Sequence, residues 1–589
     1  MTARSGEPSL LELYTPKLVT VLRERYGPGD LRADAIAGLT VAIVALPLSM
    51  AIAIASGVTP DRGLYTAIVG GFLVSALGGS RFQIGGPAGA FIVLVAATVT
   101  VHGVDGLILA TFLSGFILLV AGSLRLGTFV KYIPYPVTVG FTAGIGVIIF
   151  ISQLKELLGI TLDGPEPGPV AEKLATLADA LPSVSASAVA VSLATLALIF
   201  GVRRYRPHWP GLLIGVVAAS LGAWAFGLPV ETIGTRFGGI PQSLPMPHLP
   251  VLTMDKVLEV LPAALSFALL GSIESLLSAV VADSMTGRRH RSNCELVAQG
   301  AANVGSALFG GICVTGTIAR TATNVRSGAR GPVSGMLHSL FLLAFMLVAA
   351  PLAAYIPLAA LAAVLAQVAW NMVEKHEFAI LLRASRGDAL VLLATFLLTV
   401  FDDLTTGILV GFGLGTLLFM HRMAQAVAVE HATRPIVEDD KADSAENGSR
   451  RPYDAELGAD ANVVVCRISG AFFFGAAATV AAALDRIAEQ PGAYVLDVSA
   501  VPFLDSTAAA TMEGFVRKAR RQGATVYVTG ASKPIRRALL LHGIRPPDVR
   551  FRTTVADAVS AVHNALEAPD GPAEPAPGDD DGALPPKTA

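Results

Sequence analysis

Apolar residues along the first two thirds of the chain come in long blocks rather than in alternation. Residues 35–54, 107–124, 137–151, 335–354 and 389–400 are nearly continuous apolar runs. A helix that crosses the hydrocarbon of a bilayer needs about 20 such residues, and no period-2 strand pattern competes with that reading. The pattern predicts about fourteen membrane spans, several of them short, over residues 31–425. It stops near residue 423. Residues 426–460 are polar and mixed in charge and read as a linker. From 461 to 567 the pattern becomes α/β, with strands expected at 463–468, 493–498 and 525–529. Helices are expected between and after them at 476–490, 506–522 and 533–542. Residues 1–30 form a polar N-terminal segment, and 568–589, rich in Pro, Gly and Asp, read as a disordered tail.

Composition agrees with a membrane setting. The 589 residues are 53% hydrophobic and 15% charged, with a mean hydropathy of +0.61, whereas soluble domains carry about 25% charged residues. No cleavable hydrophobic segment is expected in the polar stretch 1–32. Cys294, Cys313 and Cys466 lie too far apart in sequence for a disulfide framework or a metal-ligand spacing. The net charge of −2 points to no partner, and nothing in it suggests nucleic acid. Lysine and arginine fall on alternate connections: Arg81, Arg125, Lys131, Arg203–Arg206, Arg288–Arg291, Arg326, Arg330, Lys375, Arg383 and Arg386 form the rich set. The positive-inside rule assigns that set to the cytoplasm and, with an even number of spans, both termini as well. The expected location is the bacterial cytoplasmic membrane.

One acidic residue breaks the apolar pattern. Glu274 is the only charged side chain between Glu259 and Asp283, near the centre of a span. A carboxylate there costs roughly 3 kcal/mol or more, so it reads as functional, with helix packing as the alternative. Ser278 lies one turn on, on the same helix face, and the two could hold a proton or a small cation.

Two spans are broken by glycine and proline, around Gln83-Ile84-Gly85-Gly86-Pro87-Ala88-Gly89 and around Gly310-Gly311 to Gly316-Thr317. Each reads as a short extended segment feeding a helix that starts within the bilayer, with Pro87 in the first turn of the first. Paired interruptions in two halves, here about 31–224 and 255–423, point to a transport site. Two helix N-termini meeting at the midplane favour an anion, and Arg320 adds full positive charge. The alternative for Arg320 is a structural ion pair, with Glu274 as the candidate partner. No nucleophile–base set or P-loop is present, so an enzyme is not expected.

These residues resemble the SulP family of anion transporters, relatives of solute carrier family 26. The likeness rests on Gly38-Leu39-Thr40-Val41-Ala42 with Leu46-Pro47, Gly63-Leu64-Tyr65, Gly86-Pro87-Ala88, Pro134-Tyr135-Pro136-Val137, Gly140–Gly144, Glu295–Asn303 and Ala319–Asn324. Asp497-Val498-Ser499 with Leu504-Asp505-Ser506-Thr507 resembles the STAS domain that follows in this family. Ile273–Leu277, Met285-Thr286-Gly287, Asn293–Val297 and Val368–Met372 are similar to the branch that carries C4-dicarboxylates such as succinate or fumarate.

The resemblance implies a 7+7 inverted repeat with core and gate domains, a homodimer, and elevator-like secondary transport of a small anion with no cofactor. It places the anion near Gly86, Ala88, Gly316, Thr317 and Ala319, with Arg320 and Ser49 close by. Glu274 and Ser278 match positions that hold sodium in cyanobacterial bicarbonate transporters, where an aspartate and a threonine stand instead. Several relatives carry a glutamate just after the first-span proline. Here Leu48 and Ser49 follow Pro47, so that the chain either couples through Glu274 or does not couple to protons in that way. Proton symport of a dicarboxylate is the leading expectation. Sulfate or bicarbonate transport with a proton or sodium, uncoupled exchange, and a sensor acting through the STAS domain are the alternatives. Ser506 matches a phosphorylated serine of soluble STAS proteins, or simply starts its helix, and a cytoplasmic regulator would act there.

Overall fold

A computed structural model of the chain describes residues 13–128, 132–162, 164, 166–206, 209–432, 463–485 and 491–567. Lys131, most of the expected linker and the whole expected tail lie outside these residues. The chain divides into two compact units, Met1–Gly415 and Thr416–Ala589.

The first unit is helical. Its first half runs through α1 (Pro28–Ala55), α2 (Pro60–Tyr65), a π turn at Thr66–Gly70, α3 (Gly71–Leu77), strand β1 (Gly85–Gly86) and α4 (Ile92–Ser123). Helices α5 (Tyr135–Leu158), α6 (Ala186–Tyr205) and α7 (Gly211–Ala225) follow. The second half repeats this order with α8 (Met254–Thr286), α9 (Ser292–Leu308), strand β2 (Thr315–Gly316), α10 (Ile318–Arg326) and α11 (Val333–Ala353). It closes with α12 (Leu358–Met372), α13 (Arg386–Phe401) and α14 (Leu404–Gln425), the last crossing the boundary between the units.

Among the described residues, seven helices are long and apolar enough to cross a membrane, including α1, α5, α6, α8, α11 and α14. The seventh, ending at Ser123, is interrupted at Gly103, whose φ of 68° no helix accommodates. The other transverse segments are shorter or broken, as the sequence pattern suggested.

Packing groups the helices into two bundles that meet where α1 lies against α12 and α7. Helix α4 lies against α8 and α9, and α1 against α10 and α11. Helix α5 lies against α12 and α13, and α6 against α7 and α12. Small residues allow close contact: a Cβ on Gly38 would lie 2.4 Å from the Ser334 carbonyl oxygen, and one on Gly63 2.1 Å from that of Ser49. Glu295, fully buried at the start of α9, accepts the amides of Gly79 (2.8 Å) and Ser80 (3.0 Å) and fixes the turn before β1.

The second unit holds a five-stranded sheet in the order β3 (Ala428–Ala432), β4 (Val463–Ser469), β5 (Ala493–Ala500), β6 (Thr525–Thr529), β7 (Arg550–Arg552). The β4–β7 strands are parallel and β3 is antiparallel. Helices α15 (Phe474–Asp485), α16 (Ser506–Arg521) and α17 (Lys533–Leu541) contribute to the main core, with Val480, Met512 and Leu539 fully buried. Helix α18 (Val555–Glu567) packs Ala558, Val559 and Val562 against Val463, Val495 and Tyr527. Residues 428–432, expected within a linker, are instead the edge strand of this sheet. Their pairing with β4 supplies hydrogen bonds that a polar composition alone does not reveal.

Candidate functional site

The two broken segments meet. Strand β1 pairs antiparallel with β2, Gly85 opposite Gly316 and Gly86 opposite Thr315. Backbone this irregular survives at membrane depth only with its polar groups satisfied by protein, and neighbouring side chains do this. Asn303 donates from Nδ2 to the Val314 carbonyl (2.9 Å) and accepts the Val314 amide (3.0 Å). Thr66 accepts the Ile312 amide at 2.7 Å. Thr321 accepts the Ile84 amide at 3.1 Å, and the Thr317 amide and hydroxyl both donate to the Ile84 carbonyl.

Both helices that follow begin at this pair. Ala88 and Thr317 are their extended N-cap residues, and neither terminus has a side-chain cap. Helical structure begins at Gly89 on one side and at Ile318 on the other. Pro87 therefore stands before the helix, not in its first turn. Pairing with β2 holds Gly85 and Gly86 extended, and the extended path continues through Ala88. Ala88, Gly86, Gly316, Thr317 and Ala319 come together here, with unpaired first-turn amides and positive dipole ends.

Arg320 lies in the first turn of α10 and is 2% exposed. Its Nη2 donates to the Ser49 hydroxyl (3.1 Å) and to the Pro87 carbonyl (3.3 Å). Nε and Nη1 have no hydrogen-bond partner among the described residues. A Cβ on Gly86 would lie 2.3 Å from Nη1, so the guanidinium packs directly on that glycine. A buried cation with two unsatisfied donors is costly unless an anion joins it. Ser49, fully buried two residues past Pro47, anchors the fork from α1.

Helix α8 covers the strand pair with one face. The Gly271 carbonyl accepts from the Thr315 hydroxyl (3.0 Å), and the Ser275 hydroxyl accepts from Gln83 Nε2 (2.7 Å). The Ser278 hydroxyl donates to Thr321 (3.0 Å). Glu274 stands on this face between them, 6% exposed, with no hydrogen bond or ion pair among the described residues. The candidate ion pair between Arg320 and Glu274 is absent, and Ser278 turns to Thr321 rather than to the carboxylate. A cavity of about 550 Å³ opens between α1, α7 and α11, but its walls, including Leu46, Met50, Leu213 and Phe345, are apolar and carry no charge. It offers an anion no charge and only the scattered polar groups of Ser220, Trp224 and Tyr355.

Gln83, Ser275, Thr321 and Asn324 are part of this network; the sequence motifs contain them but give them no role in the site. Their partners lie up to 242 residues away along the chain, and the four- and three-residue steps between Gly271, Ser275 and Ser278 set these three on one helix face. In the second unit, Asp505 is the N-cap of α16: Oδ1 accepts the Ala508 amide (2.8 Å) and Oδ2 the Phe474 amide (2.9 Å). Ser506 is then the first helical residue.

Residues 31–395 match the sulfate permease family and residues 455–558 the STAS domain. A putative sulfate transporter of Bacillus subtilis, YvdB, is 38% identical over 86% of this chain and 92% of its own length. The bicarbonate transporter BicA of Picosynechococcus sp. is 32% identical over 87% and 90%. The murine solute carrier 26 member A9, solved in an inward-facing state, superposes with a TM-score of 0.81 over 96% of each chain, at 18% identity, which speaks for the fold. These relatives are named as transporters, not enzymes, and the named substrates are sulfate and bicarbonate rather than a dicarboxylate. The chain belongs to the sulfate permease (SulP, solute carrier 26) family of anion transporters and carries a C-terminal STAS domain.

Proposed function

We propose that the chain is a secondary transporter of a small oxyanion of the sulfate or bicarbonate type, coupled to a proton or sodium ion through Glu274. The observation that carries the reading is Arg320: a buried guanidinium with two free nitrogens, set where two uncapped helix N-termini meet. Full charge, dipoles and amides favour an anion there, and the site has no metal-like cluster of acidic ligands. Gly86, Ala88, Gly316, Thr317, Ala319, Arg320 and Ser49 form the anion site in this reading. Glu274 and Ser278, on the α8 face beside it, form the coupling-ion site.

The bundle of α1–α4 and α8–α11 moves as a body against that of α5–α7 and α12–α14, by an elevator-like motion in a homodimer. The protein resides in the bacterial cytoplasmic membrane with both termini inside, and a cytoplasmic regulator acts through the STAS domain at Ser506. The dicarboxylate reading ranks lower, because relatives at 38% and 32% identity are named for sulfate and bicarbonate. Purified protein in liposomes tests this, with labelled sulfate, bicarbonate and succinate offered under inward proton, inward sodium or no gradient. Uptake of sulfate or bicarbonate that a gradient concentrates is expected. Concentrative uptake of succinate alone overturns the substrate class, and gradient-independent uptake of every anion overturns coupling.

A further inference from the structure

His338 on α11 is fully buried, and neither ring nitrogen has a hydrogen-bond partner among the described residues. Its place relative to the anion site follows from helix register. Helix α10 runs away from the β1–β2 pair and α11 runs back toward it. They are tied where Asn324 Nδ2 donates to the Ser334 hydroxyl at 2.9 Å. Arg320 stands four residues before Asn324, and His338 four after Ser334. One helical turn, about 6 Å, brings both from that rung toward the site. Arg320 is also the charged group that acts electrostatically on the imidazole.

The other elements packed on α11 bring no competing charge to this level. Asp34 of α1 is held by Tyr26 and by the Arg330 and Gly331 amides, Asp30 and Arg32 lie nearer still to the start of α1, and Arg326 ends α10. Neither α3 nor the Thr66–Gly70 turn contains an ionisable residue. At Gly38, α1 touches the His338 backbone so closely that a Cβ would come within 3.1 Å of its amide nitrogen.

We propose that His338 is a proton-binding site coupled to the transported anion through Arg320. A ring nitrogen takes one proton from hydronium: an N–H bond forms, the O–H bond breaks and water is left. A second positive charge beside Arg320 in a buried setting is unfavourable alone and favourable when an anion stands against the guanidinium. Linkage then makes the coupling reciprocal: the bound anion strengthens proton binding, and the proton strengthens anion binding by the same factor. The inference rests on the anion site proposed above and gives it a second proton group besides Glu274.

The test uses the full-length protein in liposomes and measures KM for labelled sulfate between about pH 5.5 and 8, the range into which the bound anion is to bring the imidazole. In the wild type, KM should rise at least about tenfold across this range, about 1.4 kcal/mol of coupling. In His338→Gln, which keeps a polar amide without a titrating charge, the rise in KM should shrink to the part that Glu274 alone contributes, and in His338→Gln combined with Glu274→Gln KM should stay flat. A wild-type pH dependence retained in full in His338→Gln overturns the inference, and so does a flat wild-type profile. Should His338→Gln fail to fold, Glu274→Gln decides: sulfate binding to the detergent-purified variant should still take up about one proton, read with a pH dye. Loss of that uptake assigns the proton to Glu274 alone and overturns the inference. Absence of any sulfate transport by the wild type refutes the substrate reading instead, and the same series is then run with bicarbonate.

Discussion

Replacing Gly86 by alanine tests the anion site most directly, because it leaves every charged group in place. The new methyl would lie 2.3 Å from Arg320 Nη1, whereas unbonded heavy atoms rest at about 3.5 Å or more. The guanidinium must therefore retreat by about 1 Å. Its bonds to Ser49 and the Pro87 carbonyl, at 3.1 and 3.3 Å, already lie near the limit of useful length. A hydrogen bond to a charged group contributes about 1.5–3 kcal/mol, so misplacing the fork by one such contact raises KM about ten- to a hundredfold. Uptake kinetics in liposomes, with whichever anion the wild type carries, give that number. Gly222→Ala in α7 is the control, since nothing lies within 4 Å of its added carbon, and it should leave KM unchanged. Equal KM values for Gly86→Ala, Gly222→Ala and wild type would refute the placement of Arg320 at the substrate.

Further outcomes follow from other contacts. Glu274→Gln should abolish gradient-driven accumulation and spare anion exchange, measured as counterflow; equal loss of both would make the residue structural. Asp505→Ala removes the α16 cap and should destabilise the STAS unit by about 1 kcal/mol, read as faster hydrogen exchange in α16. Burial opposes ionisation of Asp497, but the Arg467 guanidinium at 2.9 Å and the Ser499 amide outweigh it and hold the carboxyl below its ordinary range. A depressed folded value means the stabilisation is present above the unfolded value of about 3.9 and is lost as pH falls below it. Acid unfolding of the STAS unit should therefore be less steep in Arg467→Ala; an unchanged acid limb would deny the ion pair that role. Gly316→Ala should impair transport, since its Cβ would overlap Gln83 at 1.7 Å and displace the donor to Ser275.

Much of this site could be read from the chain because it violates local rules. Glycines and a proline inside apolar runs, and one acid in a span, are departures from the pattern of a plain membrane helix. Gly85, Gly86, Gly316, Glu274 and Arg320 were legible for that reason. His338 was not, because a single histidine within 335–354 changes the apolar pattern too little to be noticed. Gln83 and Thr321 are polar residues of ordinary kind whose meaning comes from partners far along the chain. The helix starts two residues past Pro87, because local proline preference yields to pairing with β2. In the second unit, β3 and β7 are not legible in the sequence, being edge strands of five and three residues in which pairing rather than composition makes the strand.

The pairing of β1 with β2 also bears on how the protein is made. Ile84 and Thr321, whose hydrogen bond flanks the strand pair, are 237 residues apart. At about 5–20 residues per second, the ribosome delivers the second partner about 12–50 seconds after the first. Throughout that interval Gln83, Ile84, Gly85 and Gly86 have no β2 to bond, and lipid offers no replacement. The first half of the chain must therefore wait near the water interface or in the care of the insertion machinery. The anion site cannot form until α10 has been made, and a chain cut after α7 would contain Ser49, Gly86 and Ala88 but neither β2 nor Arg320.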